Sequence, residues 1–281
     1  MRNRIPAENL AIWRTAATEN RELRHLQLSA MAAEAHDEAL PDGLLSDAET
    51  GDGLLAAMAA DERMAYCRAL IATHPTRAVS VPSPTSIPAA PRVATLSGQL
   101  FAAAFARFAT ALPHATPVYL SSLGELLEEN SAGGADFAVF PIEDTKGTHF
   151  LHFYEEFDRL ELSPVLGCSV SLANGAEGSR FLLLSRQYRP SPSPLCRQTV
   201  TYRLPGEKQR LLCELLTAAD LAGLRLRRLD ALPAPYPEDS YAYYPVFDGS
   251  DDAVIRMNTY IAFFMPRAAV LAQYAYLNEG D

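Results

Sequence analysis

The sequence predicts a mixed α/β and α+β protein in three parts: an N-terminal helical segment (1–74), one α/β lobe (93–187) and a C-terminal βαββαβ segment (196–281). Three observations carry this reading. Two proline-rich stretches, PTRAVSVPSPTSIPAAPR over 75–92 and YRPSPSPL over 188–195, cut the chain. Proline fixes φ, removes a donor and pushes the residue before it out of the helical region, so each stretch is an extended linker. Before the first cut the apolar residues follow a helical period; after it, apolar strands alternate with helices.

In the first segment Leu10, Trp13, Ala17, Leu23, Leu26 and Ala30 form an apolar stripe, and Pro41-Asp42-Gly43 breaks it. A second helix, capped by Asp47 or Asp52, includes Leu54, Leu55 and Met58. A third runs from Asp61 to Thr73 and stops before Pro75. The lobe opens with a strand over Arg92–Leu96, a Ser97-Gly98 turn, and a helix over Gln99–Leu112 with Phe101, Phe105 and Phe108 on one side. A strand over Pro117–Leu120 follows, then a helix capped by Ser121 or Ser122 with Glu125 as its capping-box acid. Asp136–Phe140 and Ser179–Ser185 are apolar strands, and the alternation implies a mostly parallel sheet. The third segment reads as a strand over Arg197–Leu204, a helix over Gly206–Ala222, strands over Leu224–Ala231 and Ser240–Val246, an Asp248-Gly249 turn, a helix over Ser250–Met265 and a strand over Ala268–Tyr276. That order is ferredoxin-like.

Composition narrows the function. The chain has 281 residues, with 24 Lys and Arg against 34 Asp and Glu, a net charge of −10. This balance argues against nucleic acid, which needs clustered cations, and Arg225, Arg227 and Arg228 are expected to be split between two faces of one strand. No apolar run approaches the ~18 residues of a membrane helix, and no signal peptide is read. Cys67, Cys168, Cys196 and Cys213 form no CxxC pair. They are expected to be reduced thiols of a cytoplasmic protein. No cofactor is expected.

Four strings in chain order resemble the prephenate dehydratases. Ala135–Gly147, ADFAVFPIEDTKG, resembles that family's strand and "PIEN" turn. Arg92–Phe108 is similar to its opening strand, glycine turn and helix, and Gly178–Leu184 to its closing "TRF" strand. Leu224–Pro233, Phe247-Asp248-Gly249 and Val270–Tyr274 resemble segments of the ACT regulatory domain that follows. Leu10–Arg14 and Leu40–Met58 resemble the chorismate mutase helices of the bifunctional P-proteins. The resemblance implies one periplasmic-binding-protein-like half of a dehydratase, an ACT domain, a homodimer, and an aromatic acid or amino acid as small-molecule partner.

Carried over residue by residue, the resemblance implies Ser179, Glu143 and Thr145 as catalytic. It implies Ser97, Gly98, Asp144, Arg180, Phe181 and Arg14 as substrate-binding, and Gly206, Asp230 and Pro233 as effector-binding. Several positions depart from the pattern. The mutase-like segment holds no lysine, and Asp47–Gly51 holds no arginine where one is expected. Each missing donor to a dianion costs about 3 kcal/mol of transition-state stabilisation. Thr148–Gly178, 31 residues, has room for one helix and one strand, not for a second lobe to close over substrate. Asp144 adds a carboxylate facing an anionic substrate. The expectation is a divergent homologue, catalytically degenerate, with a binding or regulatory role in aromatic amino-acid (phenylalanine) biosynthesis. The alternative is an active dehydratase, a carbon–oxygen lyase, whose second lobe comes from a partner chain.

Plainer readings stand beside these. His149 and His152 flank Phe150 and Phe153 as packing residues rather than metal ligands. Glu155, Glu156, Asp158 and Glu161 read as a solvated helix face. Phe101, Phe105 and Phe108 read as core. Ser97-Gly98 either caps a helix or offers free N–H groups to an anion.

Overall fold

A computed structural model of the chain describes residues 59–79, 82–143, 150–171, 179–191, 196–205, 209–232 and 242–277. The first two expected helices and Arg14, Asp144, Thr145, Gly206 and Pro233 lie outside the described residues. The chain divides into two compact units. One comprises Met1–Ser80, Glu207–Leu224 and Asp252–Ala268, the other Val81–Gly206, Arg225–Asp251 and Ala269–Asp281.

In the first unit, α1 (Ala60–Thr73) matches the third expected helix to within a residue. Glu62 accepts from the Ala59 N–H at 3.0 Å and so satisfies one of the donors a helix start leaves open. α5 (Gln209–Ala222) and α6 (Asp251–Phe264) belong with it. Glu214 of α5 accepts from Arg63 of α1 and, at 3.0 Å, from the Tyr260 hydroxyl of α6. Tyr66 meets Phe263 and Phe264 edge-on at 6.5 and 6.2 Å.

The second unit holds, among the described residues, one nine-stranded sheet of order β2-β1-β3-β5-β4-β9-β6-β8-β7. Its strands are β1 (Arg92–Leu96), β2 (Thr116–Leu120), β3 (Phe137–Glu143), β4 (Ser163–Val170), β5 (Ser179–Ser185), β6 (Arg197–Pro205), β7 (Arg225–Leu232), β8 (Ala242–Gly249) and β9 (Ala269–Leu277). Helices α2 (Gln99–Ala109), α3 (Leu123–Ser131) and α4 (Phe153–Arg159) connect the first five strands. Between the PIE turn and Ser179 the described residues form one helix and one strand, α4 and β4, as the spacing predicts.

The expected parallel majority does not form. β1 pairs in parallel with β2 and β3, but β5 runs antiparallel to both β3 and β4. A short return from β4 to β5 can only make an antiparallel pair. β6–β9 form the antiparallel order β9-β6-β8-β7, that of the split βαββαβ pattern. A parallel rung joins the two halves: Leu166↔Ala275, Gly167↔Tyr276 and Cys168↔Leu277 between β4 and β9.

Three local expectations shift for identifiable reasons. β3 runs on through Pro141 because its pairing with β1 has ended at Ala138, so proline withholds no donor from β1. α2 stops at Ala109 because Thr110 Oγ1 takes the Arg107 carbonyl at 2.8 Å and Pro113 disfavours the helical region for Leu112. Asp248-Gly249 are strand rather than turn, because Thr199 and Gln198 of β6 pair with them.

Two cores lie on the two faces of the first five strands. Phe137, Val139, Phe181 and Leu183 pack with Phe108 of α2 on one side, and Phe101 meets Phe181 edge-on at 5.2 Å. Ala138, Phe140, Leu182 and Leu184 pack with Tyr154 and Phe157 of α4 on the other. That second core also takes in Ala242, Tyr244, Ala272, Tyr274 and Tyr276 of β8 and β9. The sheet therefore coils around α4, as strong right-handed twist allows. Gly167 makes the inner packing possible: a Cβ there would stand 2.5 Å from the Tyr274 ring.

Candidate functional site

Glu143, the acid of the strongest sequence motif, closes β3. Regular pairing would set Ile142 opposite Arg180. A bulge intervenes, so that Pro141 pairs with Phe181 and Glu143 with Arg180. Bulges re-aim side chains in this way. A second bulge does the same on β7, where Leu226 pairs with Phe247 and Arg228 with Val246, leaving Arg227 as the extra residue.

These displaced side chains meet. Arg180 Nε stands 3.1 Å from one Glu143 oxygen, and Arg228 Nη1 donates to the other at 3.0 Å. Arg228 Nε also donates to both Asp230 oxygens at 2.9 and 2.7 Å. Five strands stand between β3 and β7 in the sheet order, so this contact exists only because the sheet coils. The Glu143 side chain is 13% exposed and the Arg180 and Arg228 side chains 29% and 27%, so all three are partly shielded from water. The hydrogen bond to Asp230 leads in raising the Arg228 pKa, against the burial that lowers it. Behind the network lies Tyr154 of α4. Burial pushes its hydroxyl up to about 12, and Thr201, Asp230 and Arg180 are near enough to act on it.

The other expected site residues separate by face. On β5, Phe181 and Leu183 face one core while Leu182 and Leu184 face the other. Ser179 therefore shares a side with Phe181, and Arg180 shares the opposite side with Glu143. Ser179 is buried and pairs with Val170. Ser97 and Gly98 are exposed at the start of α2, where Gly98 takes φ +130°, a conformation that favours glycine. Asp230, expected to hold an effector, accepts from Arg228 Nε.

Sequence reading missed Arg228, Tyr154 and the Arg227 cluster. Arg228 stands two residues before Asp230, a same-face spacing on a strand that was available as a signal. The expected division of the arginines between two faces fails, because the bulge gives Arg227 and Arg228 their own partners on the inner side. Phe108 is fully buried, and Phe101 and Phe105 pack against the same core, in agreement with their structural reading. His152 lies 4.2 Å from Phe153, ring centroid to centroid, and His149 lies outside the described residues. No group of metal-ligating side chains occurs among the described residues. Cys67, Cys168, Cys196 and Cys213 are free thiols. No described helix is long and apolar enough to cross a membrane.

No protein-family model and no curated protein matches the sequence. Solved structures match its shape. A prephenate dehydratase from Streptococcus mutans aligns with a TM-score of 0.54 at 17% identity, over 66% of this chain and 99% of that one. A prephenate dehydratase from Arthrobacter aurescens, in complex with L-Phe, aligns with a TM-score of 0.51 at 17% identity, over 66% and 89%. GqqA, described as a novel type of quorum quenching acylase, aligns with a TM-score of 0.50 at 18% identity, over 66% and 94%. The chain has a prephenate dehydratase-like fold.

Proposed function

We propose that this chain is a divergent prephenate dehydratase and ACT homologue that has lost catalysis and serves as a binding or regulatory protein linked to phenylalanine biosynthesis, dimeric and cytoplasmic. The observation that supports this reading is the Glu143–Arg180–Arg228–Asp230 network. A dianionic substrate needs free charge-assisted donors to hold its carboxylates. Here the two arginines nearest the family-like motif are matched by two carboxylates of the same chain. A substrate carboxylate would have to displace Glu143 or Asp230, and an uncompensated partly buried charge opposes that exchange. Fold likeness alone does not carry the activity, since an acylase shares the shape.

The test is the purified chain with prephenate at neutral pH. Phenylpyruvate formation at the uncatalysed rate is expected. Formation above that rate, abolished in Ser179→Ala, would establish the alternative, an active dehydratase using Ser179, Glu143 and Thr145. The binding role is read by thermal shift with phenylalanine, tyrosine, prephenate and chorismate, because a ligand at 100 times its Kd adds about 2.7 kcal/mol. No shift with any of the four removes the binding role for those ligands.

A further inference from the structure

The structure assigns a second site: an arginine-lined pocket at one end of the β7-β8-β6-β9 sheet, which we propose binds a small dianion. The pocket measures about 320 Å³ and is lined by Arg197, Arg225, Leu226, Arg227, Asp248 and Tyr276. It shares no residue with the Glu143 network, and the inference stands whether or not catalysis survives.

Cross-strand pairing builds it. Arg225 pairs with Asp248, Asp248 with Thr199, and Arg197 with Tyr276, which puts these side chains on one side of the sheet. Asp248 is already engaged: it accepts from the buried Thr199 hydroxyl at 2.7 Å and from Arg227 Nη1 at 3.3 Å. Arg227 in turn lies over the Tyr276 ring, 4.5 Å from its centroid. The Tyr276 hydroxyl is hydrogen-bonded to Ser169, which keeps the ring in place. Arg197 and Arg225 are exposed and have no ion pair among the described residues.

Three guanidiniums thus face one carboxylate, in a chain whose net charge is −10. A local positive patch in an acidic protein concentrates anions at that spot alone. Guanidinium forks match carboxylate and phosphate oxygens bidentately, and two free forks fit a dianion. Tyr276 is buried beneath Arg227, so the two exposed guanidiniums are what the pocket offers a ligand. A volume at the lower end of the usual ligand range suits a small molecule rather than a peptide or a nucleic acid.

The experiment titrates the full chain at low salt with phenyl phosphate, phthalate and inorganic phosphate, followed by calorimetry. Saturation by at least one of the three probes is expected below about 1 mM. Preference for one aromatic probe tells a phosphate ester from a dicarboxylate, and either supports the site. Arg225→Gln and Arg197→Gln should each weaken binding about tenfold. The double variant carrying Arg197→Gln and Arg225→Gln should abolish it. Circular dichroism identical to the parent chain shows that the variants fold. No saturation by any probe up to about 10 mM, or affinity unchanged in all three variants, overturns the site.

Discussion

The two arginine clusters fed by β7 have opposite electrostatics. Around Glu143, two guanidiniums meet two carboxylates, and the charge is closed within the protein. Around Asp248, three guanidiniums meet one carboxylate, and two cations remain open to solvent. The same strand serves both because the bulge at Arg227 adds a residue and gives adjacent arginines separate partners. The difference teaches that an arginine count does not reveal an anion site. What matters is whether acids elsewhere in the fold have already engaged those arginines.

The largest effect is expected where the closed cluster loses its centre. Arg228→Leu leaves Glu143 and Asp230 facing each other without the cation between them. Unfolding stability measured in urea should fall by about 2–4 kcal/mol at neutral pH.

High pH strains the same region from behind. The Tyr154 hydroxyl, at about 12 in the folded state against an ordinary 10.0, holds its proton more tightly than the unfolded chain does. Its contribution is intact below pH 10 and is lost as the pH rises through 12, at about 1.4 kcal/mol per pH unit. The Cys168 thiol, raised by burial from 9.0 to about 12, begins its own loss at pH 9. Denaturant midpoints from pH 8 to 12 should show the decline. Tyr154→Phe should make the decline above pH 10 shallower without removing it, because burial also raises the Tyr202, Tyr260 and Tyr274 hydroxyls.

A smaller change tests the rung that lets the sheet coil. Gly167→Ala puts a methyl within 2.5 Å of the Tyr274 ring, and the ring must move. Overpacking of this kind costs about 1–3 kcal/mol. It should disturb both clusters, since Tyr276 lies over the same glycine.

The open cluster should barely register in stability. Arg225→Gln removes an exposed, unpaired cation, so the urea midpoint should move by less than about 0.5 kcal/mol. Its effect should instead appear in the anion titration, which is how an open cluster differs from a closed one.

Much of the fold was legible from residue order. β1 and β5 fall at Arg92–Leu96 and Ser179–Ser185, as the apolar runs predict. Ser122 caps α3, accepting from the Glu125 N–H at 3.2 Å, while the Glu125 carboxylate reaches back to the Ser121 N–H at 3.0 Å. Periodicity and capping act within a few residues of chain, and that is why they can be read from it. The site was legible only in part. Glu143 and Arg180 stand out in the sequence, but their pairing depends on a one-residue bulge that no alternation rule announces. Arg228 was passed over because its partner Glu143 lies 85 residues away.

The sequence alone determined the order of helices and strands and the residues available for chemistry, because those follow from local sterics and apolar period. Tertiary structure decided which charges cancel and which stay open. Coulomb interactions between side chains depend on distance in space, and here that distance is set by the coiling of a nine-stranded sheet and by two bulges within it.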